Sequence, residues 1–225
     1  MPRCRQATRE PTFRQATPRR PRGERKWTIR AWAWAGSVVS LEDLQLDLGA
    51  GRQAFVRCYL TQLHECAEKP PIGLDRAYSA KPLVLVEKQV AFPEIAILSF
   101  FKKMGWEGAW VDSQHRKFFD RMPNQSKGMS LVAHASQAVA RIAQYNDNSR
   151  VGCWDLVLWA DRAVAFAAVV PASPDAAGGG SALSEVGEAR TRWIAAAMKS
   201  GMLASQFVVV EWGYRKVLAR KKRGG

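Results

Sequence analysis

Asp155 begins an apolar run, Trp154-Asp155-Leu156-Val157-Leu158-Trp159, and a second apolar run follows at residues 163–170. Two such runs joined through Asp161-Arg162 read as a hairpin, which puts Asp155 at the head of one strand with its partner strand alongside. Residues two apart on a strand share a face, so positions 168 and 170 point the same way. A carboxylate and a lysine at such a pair, next to Asp155, would hold Mg²⁺ or Mn²⁺ against a phosphate. Hard cations prefer oxygen ligands, and an ammonium offsets the charge that develops as a phosphodiester is attacked. This chain has Ala168 and Val170 there, which offer neither a ligand nor a charge.

The surrounding elements can be read in order. Residues 1–26 contain four prolines and a nine-residue near-repeat, Arg5-Gln6-Ala7-Thr8 returning as Arg14-Gln15-Ala16-Thr17, with no apolar period to bury; a disordered basic arm is expected. Trp27, Trp32 and Trp34 interleave with Lys26 and Arg30, a pattern that suits base stacking and equally one face of a strand. Ser40 with Glu42 and Asp43 reads as a short helix start, and residues 54–67 as a helix stopped by Lys69-Pro70-Pro71. Residues 83–86 read as a short strand or a buried extended segment. Pro93 is a first-turn proline for a helix running to Gly105, and Glu94 in that turn suits the helix dipole on its own account. Residues 105–112 turn into a strand, 130–143 form a helix, 153–159 and 164–170 form the hairpin, 171–181 a flexible loop, 185–200 a helix ended by Gly201, and 207–212 a last strand. The order helix, strand, helix, strand, strand, helix, strand predicts an α/β fold with helices covering a central mixed sheet. The expected divisions are a basic arm at 1–26, a helical or irregular extension at 27–81, an α/β domain at 82–213 and a basic tail at 214–225.

Charge follows the same divisions. Of the net +14 over 225 residues, residues 1–30 contribute +8 and residues 214–225 contribute +6, leaving 31–213 neutral. Basic ends on a neutral body suit salt-sensitive, non-specific attraction to phosphate, with Arg19, Arg20, Arg22, Arg25, Lys26, Arg220, Lys221, Lys222 and Arg223 as the candidate contacts. The alternative role for such ends is to maintain solubility. Four cysteines without a CxxC pair indicate a reducing compartment, and Cys58, His64 and Cys66 match no zinc spacing. No apolar stretch approaches the roughly 20 residues that span a bilayer. An intracellular protein, cytoplasmic or nucleoid-associated and without a membrane partner, is expected. Arg19-Arg20 before the apolar 31–39 stretch resembles an export signal, and the acid-poor leader a transit peptide, but a disordered arm fits its length and its shortage of serine better.

Taken together, residues 92–212 resemble the VRR-NUC branch of the PD-(D/E)XK, or restriction-endonuclease-like, nucleases. Glu94 matches the family's acid on an early helix, Trp154-Asp155-Leu156-Val157-Leu158-Trp159 its "PDLLLW"-like strand, and Phe166-Ala167-Ala168-Val169-Val170 its Glu-x-Lys strand. Leu183-Ser184, Trp193, Gly201 and residues 207–212 follow the family's closing order. The resemblance implies a restriction-endonuclease-like sheet flanked by helices, with Glu94 and Asp155 as the remnant catalytic and metal-binding acids, Mg²⁺ or Mn²⁺ as the cofactor of any activity, and nucleic acid, DNA in particular, as the partner. The departure at Ala168 and Val170 implies impaired or absent cleavage.

Two other functions remain open on the sequence. One is an active metal-dependent endonuclease whose catalytic residues have moved, with Lys199, Arg190, Glu185 and Glu188 of the following helix as candidates. The other is a structural or protein-interaction domain with basic tails. His64, His115 and His134 are scattered and no GxSxG elbow is present; Gly178-Gly179-Gly180 lacks the GK[ST] ending of a phosphate loop. Gln114-His115-Arg116-Lys117 suits either a phosphate contact or a solvated loop.

Overall fold

Leu44 and Leu46 face inward while Gln45 and Asp47 face solvent, and the same alternation runs on through Ala54, Val56 and Cys58. A period of two is strand patterning, and strands are what form. The structure is a computed structural model that describes residues 38–40, 43–66, 71–172 and 182–214, all within the compact unit Ala33–Gly225. Its first elements are β1 (Val38–Ser40), β2 (Leu44–Asp47) and the long β3 (Gln53–Glu65). The helix expected at 54–67 and the helix start at Ser40, Glu42 and Asp43 are thereby corrected. Phe55 is the reason the alternation hides: a large apolar residue stands on the outward face, 58% exposed, and blurs the period. Gly49 and Gly51, with φ of 78° and 70°, form the turn between β2 and β3 rather than ending a helix.

Next come β4 (Val84–Val86), β5 (Gln89–Ala91), α1 (Pro93–Lys103), β6 (Glu107–Asp112) and β7 (Lys117–Phe119). They are followed by α2 (Ala133–Tyr145), β8 (Leu156–Ala160), β9 (Ala163–Pro171), α3 (Ala182–Lys199) and β10 (Phe207–Tyr214). The β8–β9 hairpin, with Ala160 opposite Ala163 and Asp161 at φ 52°, forms where expected, as do α1, β6 and β10. Strands β5 and β7 were not anticipated. Helix α3 is interrupted at Gly187, whose φ of 67° and ψ of 160° are not helical, so the helix expected from 185 is regular only beyond that point.

The strands form one mixed sheet in the order β5-β4-β3-β10-β9-β8-β6-β7, with β1 and β2 also on β3. Strand β10 runs parallel to both β3 and β9, and the other pairings are antiparallel. The pairing of β3 with β10, from Arg57–Val208 to Leu63–Tyr214, makes the 27–81 stretch a supplier of a central strand instead of a helical or irregular extension. On one face, Val157 and Trp159 of β8, Phe166, Ala168 and Val170 of β9, and Phe207 and Val209 of β10 join Val139 and Ile142 of α2 and Trp193 and Ile194 of α3 in a continuous core. Leu158 alternates to the opposite face and there meets Leu98 of α1. The fit is so close that a Cβ on Gly108 would lie 2.7 Å from Leu158 and 2.8 Å from Leu98. The sheet thus has α1 on one side and α2 with α3 on the other.

Candidate functional site

Asp155 lies one residue before β8, where its carbonyl accepts the Val111 N–H at 2.7 Å and so fixes the backbone beside β6. Its carboxylate points along the hairpin and accepts the Val169 N–H at 2.8 Å through Oδ2. Arg190 of α3 completes the environment, its Nη2 donating to Oδ1 at 2.7 Å and to Oδ2 at 2.8 Å. The guanidinium is placed by close packing between α3 and the segment leading into β8. Trp154 Nε1 donates to the Arg190 carbonyl at 3.2 Å, and Gly152 lies so near α3 that a Cβ there would fall 2.0 Å from the Ala189 carbonyl oxygen.

Glu94 follows Pro93 in the first turn of α1, with its side chain only 12% exposed. Lys81 donates to Oε1 at 2.5 Å, and its ammonium also lies 5.5 Å from the Phe92 ring centre and 5.1 Å from that of Trp110, an aromatic seat for a cation. Oε2 is buried and has no hydrogen-bond partner. Burial pushes the Glu94 carboxyl above the usual carboxylate range, Lys81 pulls it back, and the charge of Asp155 pushes it up again, with a net rise. The charge of Asp155 thus reaches Glu94 although the two acids stand 61 positions apart in sequence.

Ala168 sits directly across from Asp155 in the hairpin register, one pair beyond Leu156 and Ala167. Ala168 and Val170 are 0% and 1% exposed and belong to the core beneath α2 and α3. The expected carboxylate and lysine positions are thus filled with packed aliphatic groups, on the face of the sheet opposite α1, and do not converge with Glu94. Of the residues on the following helix that were candidates for relocation, Arg190 reaches Asp155. Glu188 instead lies 3.9 Å from Arg192 on the exposed surface, and Lys199 is in the last turn of α3. Lys81 is the functional side chain that the sequence did not single out; it is separated from Glu94 by a strand pair and a turn, and no periodicity connects them.

This donor set does not fit a divalent cation as it stands. Both oxygens of Asp155 accept from a guanidinium, Oε1 of Glu94 accepts from an ammonium, and a metal ion between them would face two positive groups at close range. Among the described residues no group of three His, Cys, Asp or Glu side chains is arranged to hold a metal. Cys58 is paired with buried Glu211, its Sγ donating to Oε1 at 3.8 Å; burial foremost, then the Glu211 charge, push the thiol up to about 12. A thiol in that state is inert, in keeping with a structural role.

A second polar cluster lies at the C-terminal end of β6, one residue beyond Val111, whose N–H donates to the Asp155 carbonyl. The Tyr78 hydroxyl donates to Asp112 Oδ2 at 2.5 Å, and His115 Nδ1 lies 2.6 Å from the same oxygen and 3.0 Å from the hydroxyl. The His115 N–H donates to Oδ1 at 3.2 Å. Burial raises the Asp112 carboxyl, but the hydrogen bonds from Tyr78 and His115 together outweigh it and hold the group below the usual range. Tyr78 in turn packs its ring on Phe92 and Trp110, the rings that seat Lys81, so one aromatic cluster supports both polar groups.

Arg19, Arg20, Arg22, Arg25, Lys26, Arg220, Lys221, Lys222 and Arg223 lie outside the described residues, as do the tryptophans at 27–34 and the glycines at 178–180. Fold and site together define a mixed α/β-sheet domain with a paired-acid cluster at the head of a hairpin. No family model, curated protein or solved structure matches the chain. No helix among the described residues is long and apolar enough to cross a membrane.

Proposed function

We propose that the chain is a nucleic-acid-binding domain of restriction-endonuclease-like descent, related to the VRR-NUC branch, in which phosphodiester cleavage is lost. The observation that carries the reading is that Glu94 feels the charge of Asp155, which heads a hairpin whose positions 168 and 170 are buried aliphatic residues on the sheet face away from α1. An acid that simply ends a strand ladder accounts for the bond of Asp155 to Val169 but gives no reason for a second buried acid, on α1, to feel its charge. Buried carboxylates are costly unless compensated, and here each has its own cation. The order α1, β6, β8, β9, α3, β10 also supports the kinship, while β1 to β5 are additions to it. In this reading DNA is held by the basic ends and by the domain surface, and Lys81 and Arg190 stand where metal chemistry once operated.

One observation favours an active enzyme with relocated residues: Arg190 and Lys81 bring positive charge to the acids from other elements, and Glu94 Oε2 is left without a partner. A cleavage assay on linear, flapped and branched DNA with Mg²⁺ or Mn²⁺, run beside a binding assay on the same substrates, separates the two. Binding without cutting is expected. Metal-dependent cutting abolished by Asp155→Ala establishes the active alternative, and absence of binding at low salt removes both.

A further inference from the structure

The α2–β8 loop and the β6–β7 turn enclose a cleft of about 510 Å³, lined by Arg116 and Lys117 on one side and by Asn148, Ser149 and Arg150 on the other. We infer that this cleft grips the sugar–phosphate backbone of a nucleic acid and leads it past Asp155, an assignment that rests on the nucleic-acid-binding reading above and locates where the body of the domain would make contact.

Three cations carry the argument. Arg116, Lys117 and Arg150 are exposed, and no ion pair joins any of them to a carboxylate among the described residues. Lys81, Lys102, Lys103, Arg121 and Arg190 are paired, and of the other described cations without an ion pair, such as Arg52, Arg57 and Lys199, none lines this cleft. The one acid lining the cleft, Asp112, is 4% exposed and turns its oxygens to Tyr78 and His115, so it presents little charge to an entering anion. Asp147, on the same loop, is exposed but is not among the lining residues. Since residues 31–213 are neutral overall, three unpaired cations facing one space mark a local concentration of charge and not a share of a general excess.

The walls suit a polymer better than a bare ion. Val111, Phe118 and the 66%-exposed Val151 add apolar surface on which a sugar or a base face can rest. Position decides between this cleft and a second basic hollow near Arg141 and Arg162. That hollow is lined by Arg162 of the β8–β9 turn and by Ala163, the first residue of β9, at the end of β8 remote from Asp155. The first cleft is one hydrogen bond from Asp155, because its wall residue Val111 donates to the Asp155 carbonyl and its wall residue Arg150 is tied by its own carbonyl to Cys153 N–H at 3.0 Å. A backbone lying across Arg116, Lys117 and Arg150 passes beside the backbone pairing of Val111 with Asp155.

The test uses the full chain with fluorescein-labelled DNA and RNA oligonucleotides, single- and double-stranded, followed by anisotropy across a salt series. The variant Arg116→Gln/Lys117→Gln/Arg150→Gln is compared with Arg52→Gln/Arg57→Gln/Lys199→Gln, which loses equal charge from exposed positions elsewhere. All six are exposed, and thermal melts report whether each variant folds. The cleft variant is expected to bind at least tenfold more weakly than the control variant near 0.1 M salt, and its slope of log affinity against log salt to fall by about two to three, roughly one for each phosphate no longer neutralised. Equal affinity and slope for the two variants, with wild type binding well, overturns the cleft and leaves the wider reading standing. No binding by wild type at low salt removes the wider reading itself. If inorganic phosphate raises the melting temperature of wild type but not of the cleft variant, while both bind oligonucleotides alike, the cleft is a small-anion site and the backbone assignment fails.

Discussion

Arg190→Met removes the guanidinium from Asp155 while keeping much of the side-chain volume, and its cost can be worked from the geometry. One nitrogen donates to both carboxylate oxygens at 2.7 and 2.8 Å, and the Val169 N–H remains as the carboxylate's other bond. Breaking a fully buried pair costs about 3–5 kcal/mol, and an exposed pair contributes about 0–1. With 24% and 17% of the two side chains exposed, the loss falls between these limits, at about 2–3 kcal/mol. For a domain of this size that lowers the melting temperature by roughly 4–12 °C. Asp155→Asn removes the negative charge facing the guanidinium instead, but keeps an acceptor for Val169. Because the two substitutions remove the same ion pair, chemical denaturation of wild type, both single variants and the double variant is expected to give a coupling energy of about 1–2 kcal/mol. A coupling below about 0.5 kcal/mol means that Arg190 does not neutralise Asp155, and the closed-site argument fails with it.

Three other outcomes are expected. Folding raises the Glu94 carboxyl above its ordinary value, so the folded state holds more protons and stability falls as pH rises from the unfolded value near 4.5 through the higher folded value; Glu94→Gln flattens that stretch of the stability–pH curve, and an unchanged curve refutes the assignment. Gly152→Ala drives a methyl into the Ala189 carbonyl at a φ of 82° and is expected to cost more than about 3 kcal/mol in urea unfolding, whereas a cost below about 1 shows that α3 does not clamp this loop. Ala168→Glu with Val170→Lys, the substitution that would rebuild a nuclease strand, buries two charges in the core and is expected to give a protein without a cooperative thermal transition; a folded double variant refutes the core placement of these positions.

Much of this could be read from residue patterns, where local chemistry and tertiary packing agree. Pro93 and Gly105 bracket α1 because one presets helical φ and the other admits the positive φ of 85° at its end. The β8–β9 hairpin announced itself through two apolar runs about a short polar turn. Strand β3 did not, because Phe55 stands on its exposed side while Ala54, Val56 and Cys58 point in. An outward aromatic conceals a period of two from any reading that tracks apolarity alone. At the site, Asp155 and the aliphatic pair at 168 and 170 were legible from strand geometry, and Arg190 from its place on the next helix. Lys81 was not: its choice of Glu94 depends on Phe92 and Trp110 being folded beneath it. The same holds for Tyr78, Asp112 and His115, where a hydrogen bond spans 34 residues and no spacing rule anticipates it.

The central claim, that basic side chains have taken the place of a divalent cation at Glu94 and Asp155, is tested most directly by Mn²⁺ titration followed by the electron paramagnetic resonance of the free ion. Wild type is expected to leave the free signal undiminished, and folded Lys81→Gln/Arg190→Gln to reduce it, with the effect lost on adding Asp155→Asn. Mn²⁺ uptake by wild type that disappears in Asp155→Asn would contradict the account.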